Sequence, residues 1–173
     1  MSVAATSGLN ASPDSVRILV DTNVWLDAYL GFRQGNSAAR ALFAAGRQAG
    51  ALFLYPVGSL QDVFALLIME LKRKAREEGS VLDEAMMATF RRTAWSCIDN
   101  LRENATAVGA DDADVWLASK YRKVNWDLED NMVLAAAKRA EVDYLVTSDR
   151  ALIAKANVAA LSPKDLTALL TSR

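Results

Sequence analysis

Histidine is absent from this chain of 173 residues, and cysteine occurs once, at Cys97. Without histidine there is no Ser-His-Asp or Cys-His catalytic group, no zinc site built on imidazole and no histidine acid–base cleavage of RNA. A single cysteine cannot form an internal disulfide. Cys97 also follows an apolar helical rhythm with Ala94 and Leu101, which favours the core over a nucleophile. We therefore expect any hydrolysis to depend on carboxylates and metal ions.

Long apolar runs are also missing, and those present are too short to span a bilayer. Residues 1–14 lack the charged and apolar segments of a signal peptide. Hydrophobic residues nevertheless make up 52% of the chain, enough for one globular domain with a sizeable core. We expect a cytoplasmic protein without a membrane segment, with a flexible tail over residues 1–15 and a single domain over residues 16–173.

Neither sign of charge dominates, because 20 lysines and arginines stand against 21 aspartates and glutamates, for a net charge of −1. This balance excludes a strongly basic nucleic-acid binder but not a local basic patch. The basic residues cluster most densely at Lys72, Arg73 and Lys74, followed by Arg91 and Arg92. They are candidates for binding a phosphate backbone, and a solvated helix face is the alternative.

Segments with strand and helix patterns alternate along the chain. Strands are predicted over residues 17–21, 51–55, 106–108, 143–147 and 158–161. Helices are predicted over residues 36–47, 59–78, 82–104, 111–121, 127–140 and 163–171. This alternation predicts an α/β protein with three layers, α/β/α, around a central, mostly parallel sheet.

Two of the predicted strands stop at an acidic residue beside small polar side chains. Residues 17–20 run into Asp21, and residues 144–146 run through Thr147 and Ser148 into Asp149. Ligands of open α/β sheets bind at the carboxyl ends of the strands, so both carboxylates would point into one crevice. Pairs of carboxylates of this kind hold Mg²⁺ or Mn²⁺.

For each of these two acids, a purely structural role is the alternative to binding a metal ion. Asp21 can cap a following turn, although the apolar residues after it place the carboxylate in a hydrophobic context, where an unpaired charge is costly. Asp149 can form an ion pair with the adjacent Arg150. Asp27 is expected to face away from Asp21.

Further candidate acids lie at the beginnings of two predicted helices. Asp127 and Asp130 precede an apolar helix and share a face, so both can approach one metal. The alternative is that Asp127 is the N-cap and that the acids of the first turn suit the helix dipole. Asp62 follows Ser59 with the spacing of a capping box. The helix after it is apolar on all faces and is expected to be buried, which favours a ligand role. Glu129 is expected to be solvated or to serve as a cap.

Tryptophan is the residue type here that stacks best on nucleic-acid bases. The chain has four tryptophans, namely Trp25, Trp95, Trp116 and Trp126. We expect core packing for most of them.

Three stretches, taken together and in order, resemble the PIN-domain family of metal-dependent nucleases, which includes the VapC-type toxins. They are ILVDTNVWLD at 18–27, SLQD at 59–62 and DLEDNMVLAAAKRAEVDYLVTSD at 127–149. The order of elements matches from about residue 17 to residue 161. The last stretch is the most specific of the three, since it combines an acid-led helix, an alanine-rich body and a strand that ends in Thr-x-Asp.

The resemblance implies a set of acids around one or two divalent ions, Mg²⁺ or Mn²⁺. Carried over onto this sequence, the catalytic acids fall on Asp21, Asp62, Asp130 and Asp149, and Asp127 matches an additional metal ligand of some members. The family often has glutamate where Asp62 stands, which is longer by one methylene. Asn23 would be the polar partner of the first acid, and Thr147 or Ser148 would supply a hydroxyl beside the fourth.

The function that the resemblance implies is metal-dependent hydrolysis of phosphodiester bonds by an endoribonuclease, as the toxin of a toxin–antitoxin pair. The implied partners are an RNA substrate, an antitoxin protein and a second copy of the chain in a homodimer. The alternative is a non-catalytic PIN-like module that binds a protein or nucleic acid without cutting. A phosphatase that uses Asp21 as nucleophile fits poorly, because its second aspartate is replaced by Asn23.

Overall fold

The structure, a computed structural model, describes residues 15–123 and 125–172. All of the expected tail except residue 15 therefore lies outside the described residues. Within them, the strands form one five-stranded sheet in the order β3-β2-β1-β4-β5, and every pair is parallel. The strands are β1 (Arg17–Val20), β2 (Leu52–Pro56), β3 (Thr106–Val108), β4 (Tyr144–Val146) and β5 (Ala160–Leu161).

Helices cover both faces of this sheet. In chain order they are α1 (Thr22–Tyr29), α2 (Asn36–Gln48), α3 (Ser59–Glu77), α4 (Glu84–Asn104), α5 (Asp112–Tyr121), α6 (Leu128–Arg139), α7 (Arg150–Lys155) and α8 (Pro163–Thr171). Helices α1–α4 and α8 share a core on one face, and α5–α7 pack on the other. The predicted three-layer α/β/α fold is confirmed, with a sheet that is parallel throughout.

The central strand β1 shows how the sequence directs this layering. Ile18 and Val20 belong to the core beneath α1–α4, whereas Leu19 belongs to the core beneath α6 and α7. Successive side chains of a strand point to opposite faces. A run that is apolar at every position, buried on both sides, is therefore what a central parallel strand requires.

Two helices were not predicted, and both begin close behind a strand. Asp21 is the N-cap of α1, directly after β1, and Asp149 is the N-cap of α7, close behind β4. The apolar residues of α1 are buried on several sides of the helix, so they form no periodic stripe. A helix without such a stripe gives no helical signal in the sequence.

The order of the strands creates a crevice at the carboxyl ends of β1 and β4. From β1 the chain moves to β2 and β3 on one side, and it later returns to β4 and β5 on the other. The segments after β1 and β4 therefore diverge, and such a switch point is where open α/β sheets bind ligands. Val20 is paired with Val146, so Asp21 lies beside Thr147 at this point.

No helix within the described ranges combines the length and the apolarity needed to cross a lipid bilayer.

Candidate active site

Asp21 is the most enclosed acid at the switch point, with 6% of its surface exposed. Its Oδ1 accepts the backbone N–H of Thr22 at 2.7 Å, and its Oδ2 accepts Asn23 Nδ2 at 2.6 Å and the hydroxyl of Thr147 at 2.7 Å. Burial raises the pKa of Asp21, the three hydrogen bonds oppose that rise, and the nearby charge of Asp130 adds to it. Both carboxylate oxygens are thus oriented before any ligand arrives.

Thr147 connects the ends of the two strands. Its side chain is fully buried, and its hydroxyl oxygen accepts Asn23 Nδ2 at 3.0 Å and the backbone N–H of Asp149 at 3.0 Å. The backbone N–H of Ser148 donates to Asn23 Oδ1 at 2.9 Å. The three predicted supporting residues therefore do lie between Asp21 and Asp149, although the hydroxyl of Ser148 points elsewhere.

Asp149 caps α7 through one oxygen. Its Oδ1 accepts the backbone N–H groups of Ala151 at 2.7 Å and Leu152 at 3.2 Å. The alternative ion pair with Arg150 is not formed in the described structure. Its second oxygen has no hydrogen bond to a described residue, which leaves that oxygen available to a ligand in the crevice.

Asp130 faces the crevice from the first turn of α6. Asn125, which is buried, donates from Nδ2 to Asp130 Oδ2 at 2.7 Å. Partial burial raises the pKa of Asp130, Asn125 lowers it, and the charges of Asp127 and Asp149 raise it further. Asp130 therefore lies within electrostatic reach of acids on both sides of the switch point.

The structure separates the roles of the two remaining acids. Asp127 is the N-cap of α6, and its Oδ1 accepts the backbone N–H of Asp130 at 3.1 Å, as its alternative role predicted. Asp62 is not part of a capping box, because α3 begins at Ser59 after Gly58 and no side chain caps it. The expectation that α3 is wholly buried was wrong, since Met69 is exposed and only one side of the helix packs inward.

Glu129 was expected to be solvated or capping, and it is exposed, but it also lies within electrostatic range of the other acids. Desolvation raises its pKa most, followed by the charges of Asp62, Asp21, Asp127 and Asp130. Together with Asp62 and Asp127 it lines a cavity of about 500 Å³ between the start of α3 and α6. Sequence spacing does not show this proximity, because it arises from the packing of one helix end against another.

The acids around the crevice fit a hard divalent cation by donor chemistry, but they do not form a closed ligand shell. Across residues 15–123 and 125–172, no three carboxylate or thiol groups are placed so that they could hold one ion. Mg²⁺ is usually bound through one or two carboxylates and keeps several waters. One or two of the carboxylates of Asp21, Asp130 and Asp149 would therefore suit Mg²⁺ or Mn²⁺, with the remaining positions open to water and substrate.

Asp27 was expected to face away from the site, yet it lies against it. It is buried, its Oδ2 accepts the hydroxyl of Ser148 at 3.2 Å, and its Oδ1 pairs with Arg33 Nε at 2.6 Å. Arg33 also contacts Glu70 on α3 at 3.3 Å. This chain of contacts attaches the segment after β4 to α1 and α3.

We expect Arg33→Met to lower the free energy of unfolding by about 2 kcal/mol, because the buried carboxylate of Asp27 would lose its counter-charge. Fully buried pairs lose ~3–5 kcal/mol on such a change, and Arg33 is partly exposed. Urea unfolding measures the effect. The matched control is Arg91→Met, which removes an exposed arginine and should change stability by less than about 0.5 kcal/mol. Equal effects of the two substitutions would contradict the proposed pairing.

The basic cluster of α3 is engaged in local ion pairs. Arg73 contacts Glu70 at 2.6 Å and Glu77 at 2.5 Å, and Lys74 contacts Glu78 at 3.0 Å. At about 1.5 Å per residue, Lys74 lies about 18 Å along the helix axis from Asp62. Three other predicted phosphate ligands make no ion pair with a described residue, namely Lys72, Arg91 and Arg92.

Comparison with known proteins agrees with this architecture. The family model of the PIN domain matches residues 17–151. No curated protein sequence matches the chain. Among solved structures, VapC20 of Mycobacterium tuberculosis, described as a sarcin-ricin loop cleaving toxin, is similar with a TM-score of 0.58 and 15% identity, over 79% of this chain and 93% of that one.

Two further solved structures share the fold at low identity. PAE2754 from Pyrobaculum aerophilum has a TM-score of 0.57 and 17% identity over 91% of each chain. VapBC2 from Rickettsia felis, bound to a DNA fragment from its promoter, has a TM-score of 0.55 and 11% identity, over 85% of this chain and 98% of that one. The family match spans most of the chain and includes Asp21, Asp62, Asp130 and Asp149, so the resemblance seen in the sequence is confirmed. The chain belongs to the PIN domain family.

Proposed function

We propose that this protein is a metal-dependent endoribonuclease. The observation that carries the proposal is the grouping of acids at the switch point. Asp21 is buried and held by three hydrogen bonds at the end of β1, and Asp130 is close enough to Asp21 and Asp149 for their charges to interact. A buried carboxylate such as that of Asp21, with further acids beside it and no internal cation, is costly for folding. A divalent cation would offset this charge and would at the same time attract the phosphate group of a substrate.

Asp21, Asp130 and Asp149 would hold Mg²⁺ or Mn²⁺, and Asp127 would be an additional ligand. When bound, the ion would supply an activated water and neutralise charge on the phosphodiester. Thr147 and Asn23 orient the carboxylate of Asp21, and Asn125 orients that of Asp130. Such outer contacts fix the direction of ligand lone pairs.

Two more acids lie next to the proposed metal site. Asp62 and Glu129 line the adjacent cavity and interact through their charges. They would orient a water rather than hold the ion directly, with Asp62 as the catalytic acid of α3 and Glu129 as its neighbour on α6. The lower reach of aspartate at position 62 is then compensated by the longer side chain at position 129.

The proposed substrate is RNA and the proposed role is that of a toxin controlled by an antitoxin. This rests on the family and on the descriptions of two proteins of the same fold, a toxin that cleaves the sarcin-ricin loop and a VapBC complex. Lys72, Arg91 and Arg92 are proposed to contact phosphates, and Arg73 and Lys74 would do so by exchanging their glutamate partners.

The test is cleavage of labelled RNA with and without divalent ions. We expect cleavage in Mg²⁺ or Mn²⁺, at least a hundredfold slower cleavage in excess EDTA, and recovery when Mn²⁺ is returned. Zn²⁺ and Ca²⁺ at the same concentration serve as controls for non-specific screening of charge. Equal rates in EDTA and in Mn²⁺ would rule out metal dependence.

A non-catalytic binding module is the second candidate, and one observation favours it. The described acids do not form a ready three-carboxylate site. Calorimetric titration with Mn²⁺ separates the two candidates, because the nuclease requires a saturable heat that disappears in Asp21→Asn. A flat titration together with unchanged RNA during long incubation would favour the module.

A further inference from the structure

The surface formed by α5 and the beginning of α6 presents two tryptophans to solvent. Trp116 is 60% exposed and Trp126 is 84% exposed. The expectation that most tryptophans pack in the core was wrong, since only Trp25 is buried and Trp95 is also 59% exposed. So large an apolar side chain is seldom left exposed, and exposed indoles often mark binding surfaces.

Each of these two tryptophans has a cation one helical turn away in sequence. Lys120 Nζ lies 4.7 Å from the centre of the Trp116 ring, and Arg122 Cζ lies 5.8 Å from that of Trp126. Lys123 adds a third positive charge, and residues 115–126 include no acid. Aromatic rings and cations thus alternate over one stretch of surface, which we call the Trp116–Trp126 patch. This is the composition of surfaces that bind unpaired nucleic acid.

The patch is continuous with the candidate active site. Trp126 stands directly before Asp127, the N-cap of α6, and after Asn125, which holds the carboxylate of Asp130. Lys155 of α7 also lies near Asp130: it lines a small cavity together with Asn125, and its charge lowers the pKa of Asp130. A strand lying across Trp126 would therefore pass next to the acids of the site.

We propose that the Trp116–Trp126 patch binds single-stranded RNA, with an unpaired base stacked on Trp126 and the backbone held by Lys120, Arg122 and Lys123. This inference rests on the proposed function and assigns its substrate as unpaired RNA next to the scissile bond. Arg122 lies near one face of Trp126, and the exposure of the indole leaves the rest accessible. A base stacks on such a ring whatever its sequence.

The charge of the patch favours RNA over a protein partner. The centres of protein interfaces are depleted in lysine, whereas Lys120 and Lys123 flank the aromatic residues here. The acidic site beside it repels a polyanion, and a local row of cations offsets that repulsion. Cations next to the site would therefore help an RNA ligand to approach the acids.

The experiment measures binding of a fluorescein-labelled single-stranded RNA by anisotropy in EDTA, with Asp21→Asn as the background so that no RNA is cut. We expect Trp126→Ala to weaken binding about tenfold or more, since base–aromatic stacking contributes ~1–3 kcal/mol per base. Trp126→Phe should retain most of the affinity. The matched control is Trp95→Ala on the opposite layer, which should bind as the background does.

A duplex of the same RNA gives the second arm, because its bases are already stacked. Its affinity should be the same with or without Trp126. In variants that retain Asp21, Trp126→Ala should raise KM and leave kcat close to that of the unaltered protein. Unchanged affinity for single-stranded RNA in Trp126→Ala would overturn the inference and indicate a protein-docking surface instead.

The outcome is separable from that of the proposed function. If the unaltered protein cuts RNA but Trp126→Ala binds and cuts it equally well, the nuclease stands and the stacking site is wrong. If the protein never cuts RNA but loses affinity in Trp126→Ala, the stacking site stands and the nuclease is wrong.

Discussion

Asp21→Asn is expected to abolish RNA cleavage, by at least a thousandfold, without unfolding the protein. Asparagine has nearly the same shape, and its Oδ1 can still accept the backbone N–H of Thr22. It lacks the negative charge that would bind the metal ion at the most enclosed point of the crevice. A discontinuous cleavage assay with high enzyme concentration measures the residual rate.

The same substitution should leave the metal-free protein about as stable as before. Burial raises the pKa of Asp21 above its usual value of 3.8, so the folded state holds this proton more tightly than the unfolded state does. The free energy of unfolding therefore falls as the pH rises from 3.8 to the folded-state pKa. Asparagine carries no charge and escapes this loss, but its Nδ2 would replace the oxygen that accepts from Asn23 and Thr147. Because the two effects oppose each other, thermal melting in EDTA at neutral pH should show a Tm close to that of the unaltered protein.

Metal addition then distinguishes a lost ligand from a damaged fold. A ligand that binds only the folded state stabilises it by about 2.7 kcal/mol at a hundred times its Kd. Mn²⁺ should raise the Tm of the unaltered protein and leave that of Asp21→Asn nearly unchanged. A variant with a lower Tm in EDTA and a normal response to Mn²⁺ would contradict the role assigned to Asp21.

The sequence was sufficient to predict the backbone of the site. Parallel strands with apolar residues at every position end in Asp21 and Asp149, and the sheet order places these strand ends side by side. The predicted partners Asn23 and Thr147 lie close to these acids in the sequence. Their contacts follow from the register of the two neighbouring strands, in which Val20 pairs with Val146.

The residues that were missed are those whose positions depend on packing between distant elements. Glu129 meets Asp62 because the ends of α6 and α3 meet, and Lys155 approaches Asp130 because α7 turns back after β4. Asp27 lies next to Ser148 because α1 begins directly at Asp21, with no loop to turn it aside. Nothing in local spacing encodes these distances.

The exposed tryptophans show a second reason why prediction from the sequence failed. A tryptophan in an amphipathic sequence is assigned to the core because burying so much apolar surface is favourable. Trp116 and Trp126 lie instead on the outer side of their segments, where cations accompany them. The available signal was the basic residues near them in the sequence: Lys120 lies four residues after Trp116 on the same face of α5, and Arg122 lies four residues before Trp126.

Thr147→Val is expected to slow cleavage about 10- to 100-fold although Thr147 touches neither metal nor substrate. Its hydroxyl donates to Asp21 Oδ2 and accepts the backbone N–H of Asp149, so it sets the positions of two acids at once. Loss of an orienting contact behind a metal ligand has effects of about this size. The buried N–H would also lose its partner, which should cost about 1–3 kcal/mol of stability.

Thr22→Val is the matched control, because it makes the same chemical change one residue from Asp21. The hydroxyl of Thr22 is buried and finds no hydrogen-bond partner within the described chain. Replacing it with a methyl group removes an unsatisfied polar atom, so stability should be unchanged or higher, and cleavage should be close to normal. Thr147→Ser, which keeps the hydroxyl, should recover most of the activity lost in Thr147→Val.

The pH profile provides a readout that simple loss of stability would not change. Thr147 lowers the pKa of Asp21 by donating to its ionised form, so the valine variant should have a higher pKa at this position. Cleavage requires the ionised carboxylate. The acidic limb of the rate profile should therefore move to higher pH in Thr147→Val and stay in place in Thr22→Val. Parallel profiles for the two variants, with equal rates, would show that the hydroxyl of Thr147 has no part in preparing Asp21.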